Sequence, residues 1–370
     1  MTSFIRKFII PIHRWVALTV GLIVVLTATT GALIVFRPQL EPILYRDLIT
    51  AEKCADIAPL DDFIAKAKSV RPEATVDYIR IIKGDDSSSR VPAMTIRYTD
   101  QNFVYLNPCT TEVLGFRHRY GGLLGAIEQI HRWRYISGVG EYISWGPIVT
   151  GGSAIIFAIV LLIGGVIILF ATLPKNKSAF TLKGGLTGIP RTLDLHKTLG
   201  LYAAPILLLS VLTGLPQAYD WYRNGIYEIT GSKPVKAPKI VEPSSTQSRV
   251  AMESIWKKIQ ELEPNPKETL IHYEVKEGNA LDSYIVGAKA VHANARSMLY
   301  VNQYNGEVIK YIPYEKSSTG FKLYFWTLTW HSGKAGLLAQ LIILFGALAV
   351  PALAYFGISA YLKRYRRAKA

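Results

Sequence analysis

Four apolar runs, at about 15–36, 146–172, 198–218 and 336–361, constrain the fold more than anything else in this 370-residue chain. A helix needs about 20 apolar residues to cross the hydrocarbon core of a bilayer, and each run is long enough. The chain has the length for two or three soluble domains. Its composition argues otherwise, because half the residues are apolar, only 19% are charged, and the apolar ones gather in these runs. The mean hydropathy of +0.21 agrees. The expected architecture is an integral membrane protein, mainly α, with four transmembrane helices.

The net charge of +15 raises the question of a nucleic-acid partner. The basic residues are in the wrong places for one. Arg6, Lys7 and Arg14 precede the first run, while Lys175, Lys177, Lys183 and Arg191 fill the short loop between the second and third. Lys363, Arg364, Arg366, Arg367 and Lys369 close the chain. Short loops rich in Lys and Arg stay on the cytoplasmic side. All three clusters agree on one topology, with both termini inside and two large segments, about 37–145 and 219–335, outside. The first run resembles a secretory signal in its basic start, but it is long for one. Its spacing also matches that of the third run, so it reads as a retained span. Both cysteines, Cys54 and Cys109, fall in the first outer segment, where an oxidising compartment permits one disulfide; two free thiols are the alternative.

The chain repeats itself. Tyr105-Leu106-Asn107 followed by Glu112-Val113-Leu114 has the spacing of Tyr300-Val301-Asn302 followed by Glu307-Val308-Ile309. Upstream of each lies a helical stretch, Asp61–Val70 or Val250–Leu262. Two alternating runs follow it: Val76–Ile82 and Pro92–Tyr98 in the first copy, Leu270–Val275 and Ser283–Ala288 in the second. Period-two alternation bounded by turn residues marks strands. Each outer segment is therefore expected to be a small α+β module with its own antiparallel sheet. Both copies start inside, so they form parallel repeats about an approximate twofold axis along the membrane normal.

Four of the seven histidines fall at matched places in the two copies. His13 opens Ile12-His13-Arg14-Trp15, and Gly31 of a Thr30-Gly31 pair lies 18 residues on. His196 stands in Leu195-His196-Lys197, with Thr213-Gly214 at the same spacing. His131 and His331 precede the second and fourth runs. The first pair lies near the cytoplasmic face and the second near the outer face. Imidazoles supplied in pairs by facing helices are what a haem iron needs on its two axial faces. Two b-type haems follow as the expected cofactors, one held by His13 and His196 and one by His131 and His331, stacked as a wire across the membrane. For any single histidine an interfacial hydrogen bond is the ordinary alternative, but chance does not align four. Structural zinc takes four ligands, and neither layer offers a further His, Cys or carboxylate at close helical spacing. A proton relay lacks acidic or Lys residues within the runs. Gly21, Gly31, Gly200 and Gly214 can clear helix faces for a flat macrocycle or for ordinary helix packing. Arg14, Arg132, Arg134 and Lys197 can pair with haem propionates or with lipid phosphates. His118, His272 and His292 lack partners in the repeat and are expected at the surface. Aromatic residues near the outer face, including Trp133, Tyr135, Tyr142, Trp145, Trp221 and Trp330, suit an interfacial belt. The glycine-rich Lys183–Gly188 segment lacks the flanking strand and helix of a nucleotide site.

The Ile-His-Arg-Trp opening with its later Thr-Gly, the Leu195-His196-Lys197 start and the segment from Trp330 to Gly336 resemble PepSY-associated transmembrane proteins over about residues 5–362. The outer segments resemble PepSY domains. The aromatic Trp330 departs from the aliphatic residue expected ahead of the last histidine. The resemblance implies a first helix within 1–37, a periplasmic module over 38–130, and an outer His segment with the second helix over 131–173. A cytoplasmic loop over 174–195, a third helix over 196–218, a second periplasmic module over 219–330 and a last helix with basic tail over 331–370 complete it. It also implies a bacterial inner-membrane location and a haem-dependent ferric-siderophore reductase that releases Fe(II) for iron uptake. His13, His196, His131 and His331 would be the axial ligands, with Arg14 and Arg132 beside them. The implied partners are a ferric siderophore, membrane lipids and an unidentified electron donor, a quinol or a reductase; nucleic acid is not among them. The alternative is a non-enzymatic PepSY membrane protein that binds or restrains a periplasmic protein.

Overall fold

A computed structural model describes residues 4–134, 145–172, 180–240 and 248–369. Tyr135, Tyr142, Gly138, Gly140, Lys175 and Lys177 lie outside the described residues. The chain forms two compact units. The first comprises Met1–Arg37, Leu123–Gly225 and Thr327–Ala370, the second Pro38–Gly122 and Ile226–Trp326.

Four helices in the first unit are long and apolar enough to cross a membrane: Lys7–Ile34, Trp145–Ala171, Gly188–Ala218 and Leu337–Ala368. They are the first to fourth spans below. Their common core takes Val24 from the first, Phe157 and Leu162 from the second, Ala203, Ala204 and Leu207 from the third, and Ala349 and Val350 from the fourth. The alanines let the helix axes approach closely, as packing between membrane helices requires. The third span begins at Gly188 rather than at His196, which corrects the expected loop over 174–195. Polar residues there stay helical because they pair. Asp194 is only 6% exposed, and its carboxylate accepts Lys197 Nζ at 2.6 Å and the Lys183 backbone N–H at 2.8 Å. Hydropathy ends the span where charge begins, but the hydrogen bonds carry the helix on. The second span contains a π-helical segment, Phe157–Ile163.

The second unit is built on strands β1 (Thr50–Glu52), β2 (Val76–Ile82), β3 (Arg90–Pro92), β4 (Met94–Tyr98), β5 (Asn102–Leu106) and β6 (Val113–His118) from the first repeat. The second repeat adds β7 (Glu268–His272), β8 (Leu281–Val286), β9 (Arg296–Val301) and β10 (Val308–Ile312). Most boundaries differ by a few residues from the alternation pattern, and the expected Pro92–Tyr98 strand divides, its first part pairing with β1. One result corrects the expectation of two separate sheets. A single eight-stranded antiparallel sheet runs β10-β9-β8-β7-β2-β4-β5-β6. The halves meet through their first strands, with Tyr78 opposite His272 and Arg80 opposite Leu270. Left apart, each half would present that strand as an unpaired edge, and pairing the two edges removes both.

Helix α1 (Leu60–Val70) and helix α2 (Met252–Leu262) cover one face of this sheet. Phe63, Ile64, Ile255 and Ile259 pack on Ile79, Ile96, Ile271, Ile285 and Leu299, all at most 5% exposed. The helices cap each other. Asp61 of α1 accepts the backbone N–H groups of Met252 and Glu253 at 2.9 and 3.1 Å, and Glu253 of α2 accepts that of Leu60 at 3.0 Å. Two positive helix ends face each other here, and the exchanged carboxylates offset that repulsion. Cys54 and Cys109 form a disulfide with their Cα atoms 6.0 Å apart, tying the segment after β1 to the β5–β6 turn.

Candidate functional site

His13, His131, His196 and His331 all lie in the first unit, and each bonds a helix carbonyl. His13 Nδ1 lies 3.2 Å from the carbonyl oxygen of Val160, His131 Nδ1 2.9 Å from that of Thr27, and His196 Nδ1 3.0 Å from that of Leu353. His331 bonds the backbone carbonyl of Ser210. A carbonyl only accepts, so in His13, His131 and His196 Nδ1 carries the hydrogen and donates it. A neutral ring so committed has its lone pair on Nε2. That is the arrangement in which a second hydrogen bond sets the tautomer and direction of a metal-binding imidazole.

A glycine lies about one helical turn beyond each acceptor. A Cβ at Gly31 would stand 3.1 Å from His131 Cε1, and one at Gly214 2.7 Å from His331 Cε1. At Gly165 and Gly357 the corresponding distances to His13 and His196 Cε1 are 3.3 and 3.5 Å. The step from acceptor to glycine is four residues at Thr27, Ser210 and Leu353 but five at Val160. The second span is π-helical there, and its wider turn absorbs the extra residue. Gly31 and Gly214 therefore clear room for the imidazoles themselves, which gives the Thr-Gly pairs of the sequence a specific use. Each pair receives the later histidine of its own half, His131 or His331, although it shares a helix with the earlier one. A Cβ at Gly200 would meet Leu353 at an ordinary 3.5 Å, and one at Gly21 nothing within 4 Å. Thr30 and Thr213 line the same notches. Each hydroxyl lies 3.4 Å from the Nδ1 of His131 or His331 and donates to a carbonyl of its own helix.

The histidines converge in the expected pairs. The rings of His131 and His331 have centroids 6.3 Å apart and planes at 43°. An iron bonded to both Nε2 atoms at about 2 Å sets the centroids roughly 6 Å apart, so this pair fits haem ligation. His13 and His196 are close enough to interact electrostatically. Among the described residues no three of His, Cys, Asp and Glu gather as a metal-binding group.

The surroundings correct several expectations. Glu128 stands three residues before His131 on the helix Gly122–His131, a carboxylate at close helical spacing after all. It is 7% exposed and paired with Arg37 and, at 3.5 Å, with Arg132, so it neutralises cations and is not a ligand. Arg14 stacks over the ring of Tyr361 at 5.4 Å. Both arginines expected beside the cofactor therefore have protein partners, as does Lys197 in Asp194. Trp133 adopts φ +53°, unusual for a bulky residue. Its indole N–H donates to Thr27 Oγ1 at 3.0 Å, so Thr27 holds both His131 and Trp133. The equivalent place after His331 is Gly333, with φ +70°. The glycine-rich segment does lead into a helix, at Gly188, but the nearest described element before it is the helix Gly164–Thr172 and not a strand.

Two histidines expected at the surface are not there. His292 is buried, its Nε2 2.8 Å from Tyr314 Oη, and burial pushes its pKa down. His272 lies edge-on between Tyr78 and Tyr284, with Asp282 Oδ2 3.0 Å from Nδ1. Burial opposes its protonation, but the close carboxylate of Asp282 outweighs that and raises its pKa.

A family model described as "PepSY-associated TM region" matches residues 10–364. The chain belongs to this PepSY-associated transmembrane family. No curated protein matches it. The match spans all four histidines and both units, so the resemblance drawn from the histidine segments extends to the chain as a whole.

Proposed function

We propose that this PepSY-associated protein is a transmembrane di-haem electron-transfer protein of the bacterial inner membrane. It reduces ferric siderophores in the periplasm and releases Fe(II) for uptake. One observation carries the reading: four imidazoles in two pairs, each bonded to a helix carbonyl, with Nδ1–H so committed and Nε2 left as a ligand atom in His13, His131 and His196. Bound there, haem supplies one-electron redox chemistry.

The chain's own residues supply the layering. Gly31, which receives His131, follows His13 by 18 residues on one helix, a rise of about 27 Å. His13 and His196 make the inner pair, beside the Lys- and Arg-rich segments that stay cytoplasmic. A quinol or a reductase gives up one electron there for each Fe(III) reduced, and no bond to the siderophore ligands need be made. Those hard oxygen ligands hold Fe(III) far more tightly than Fe(II), so reduction releases the metal. Large polar ferric complexes do not enter the bilayer, so the pair at His131 and His331 is the one that faces them.

The test is spectroscopic. Purified protein should be red, with a sharp Soret band and split low-spin α and β bands on reduction. His13→Ala and His196→Ala should each remove one and the same haem, and His131→Ala and His331→Ala the other. Colourless wild-type protein would leave the PepSY units as a binding platform for a periplasmic protein. A His13 variant that lost the haem also lost by the His131 variant would overturn the layering.

A further inference from the structure

We propose that Gln217 orients the outer haem, its amide Nε2 donating to a carboxylate on the edge of the cofactor. This rests on the di-haem reading above. Gln217 Nε2 is buried and has no hydrogen-bond partner. A buried amide N–H left unmet is costly, so proteins pair such groups. The same bundle pairs the amide of its fully buried glutamine, since Gln340 Nε2 donates to the carbonyl of Val35 at 3.1 Å.

The orphaned amide is well placed. Gln217 follows Gly214 by three residues, Thr213 by four and Ser210 by seven, spacings that share one helix face. Those three residues seat His331. Gln217 therefore sits one turn further along the face that holds the outer pair. Thr198 Oγ1, the other unpartnered polar atom on the third span, lies two residues past His196 and so on the opposite side of the helix from it.

The repeat sharpens the point. Ser210 matches Thr27, Thr213 matches Thr30 and Gly214 matches Gly31, so Gln217 matches Ile34. His131 and His331 approach from symmetric notches and do not distinguish one in-plane orientation of a haem from the other. The only hydrogen-bond acceptors on the rim of a b-type haem are its two carboxylates. A donor on the third span, opposite an isoleucine on the first, breaks the tie by drawing a carboxylate to its own side.

Gln217→Ile is the informative variant, because isoleucine already occupies the equivalent position. It should retain two haems per chain. The outer haem's midpoint potential should fall, because a carboxylate stripped of its donor favours Fe(III), while the inner haem's potential stays put. The propionate bending band in resonance Raman spectra should also shift. Gln217→Glu, which replaces the donor with a like charge, should lower the outer potential further or release that haem alone. Wild-type potentials and propionate bands in both variants would overturn the assignment of Gln217 while leaving the di-haem reading intact. Wild-type protein without haem would overturn both.

Discussion

A few tenths of an ångström separate the two outer histidine notches. The Cβ that alanine would add is 2.7 Å from His331 at Gly214 but 3.1 Å from His131 at Gly31. The first distance is impossible without movement, and a retreat of His331 would break its bond to the Ser210 carbonyl. Gly214→Ala should therefore displace the ring and release the outer haem, at an overpacking cost of about 1–3 kcal/mol. Gly31→Ala should do the same more weakly. Haem content per chain, measured by pyridine haemochrome, checks the ranking, and full retention in Gly214→Ala would refute the notch. No reading of the sequence ranks these two glycines, because each sits in the same Thr-Gly pair. The ranking comes from where the opposing ring lies.

At the scale of elements, the crossed caps and the central histidine tie the two halves of the sheet unit together. Asp61→Ala leaves two backbone N–H groups at the start of α2 without their acceptor. It should cost about 1–2 kcal/mol, seen as a lower denaturation midpoint of the detergent-solubilised chain. A change of a few tenths would mean that water replaces the cap. His272 gives the unit a pH dependence whose sign follows from its raised pKa. The protonated form is favoured in the fold, so its contribution is complete below the ordinary imidazole value and is lost as pH rises through the folded value. Asp282→Asn should abolish the rise. The stability difference between wild type and variant should then be largest in mild acid and shrink towards alkaline pH. A difference independent of pH would show that Asp282 acts through packing alone. His272 looks like a surface residue in the sequence because its partners lie on β2 and β8, and strand pairing is what brings them together.

For the whole molecule the decisive quantities are sidedness and electron flow. Reporter fusions at the C-terminus should report the cytoplasm, and fusions near Ser87 and Asn279 the periplasm. A periplasmic C-terminus would put its five basic residues on the disfavoured side and reverse the direction of the wire. Chemically reduced protein should be reoxidised by a ferric siderophore, with a ferrous chelator trapping the product. His331→Ala should lose this reaction while its inner haem remains reducible. Reduction at the wild-type rate by that variant would exclude the outer pair as the exit.

The amino-acid sequence by itself determined the four spans and the matched spacing of the four histidines. These rest on local apolar length and on spacing along one chain, which no distant contact alters. Tertiary structure decided the rest. The two sheets became one because exposed strand edges seek each other. The third helix outran its apolar run because Asp194 found Lys197 and a backbone N–H. The Thr-Gly pairs acquired His131 and His331, not the His13 and His196 they follow, because a notch is made by one helix and filled by another. The carbonyls of Val160 and Leu353 carry no side-chain signature at all, so only the packed helices show that they set the histidine tautomers.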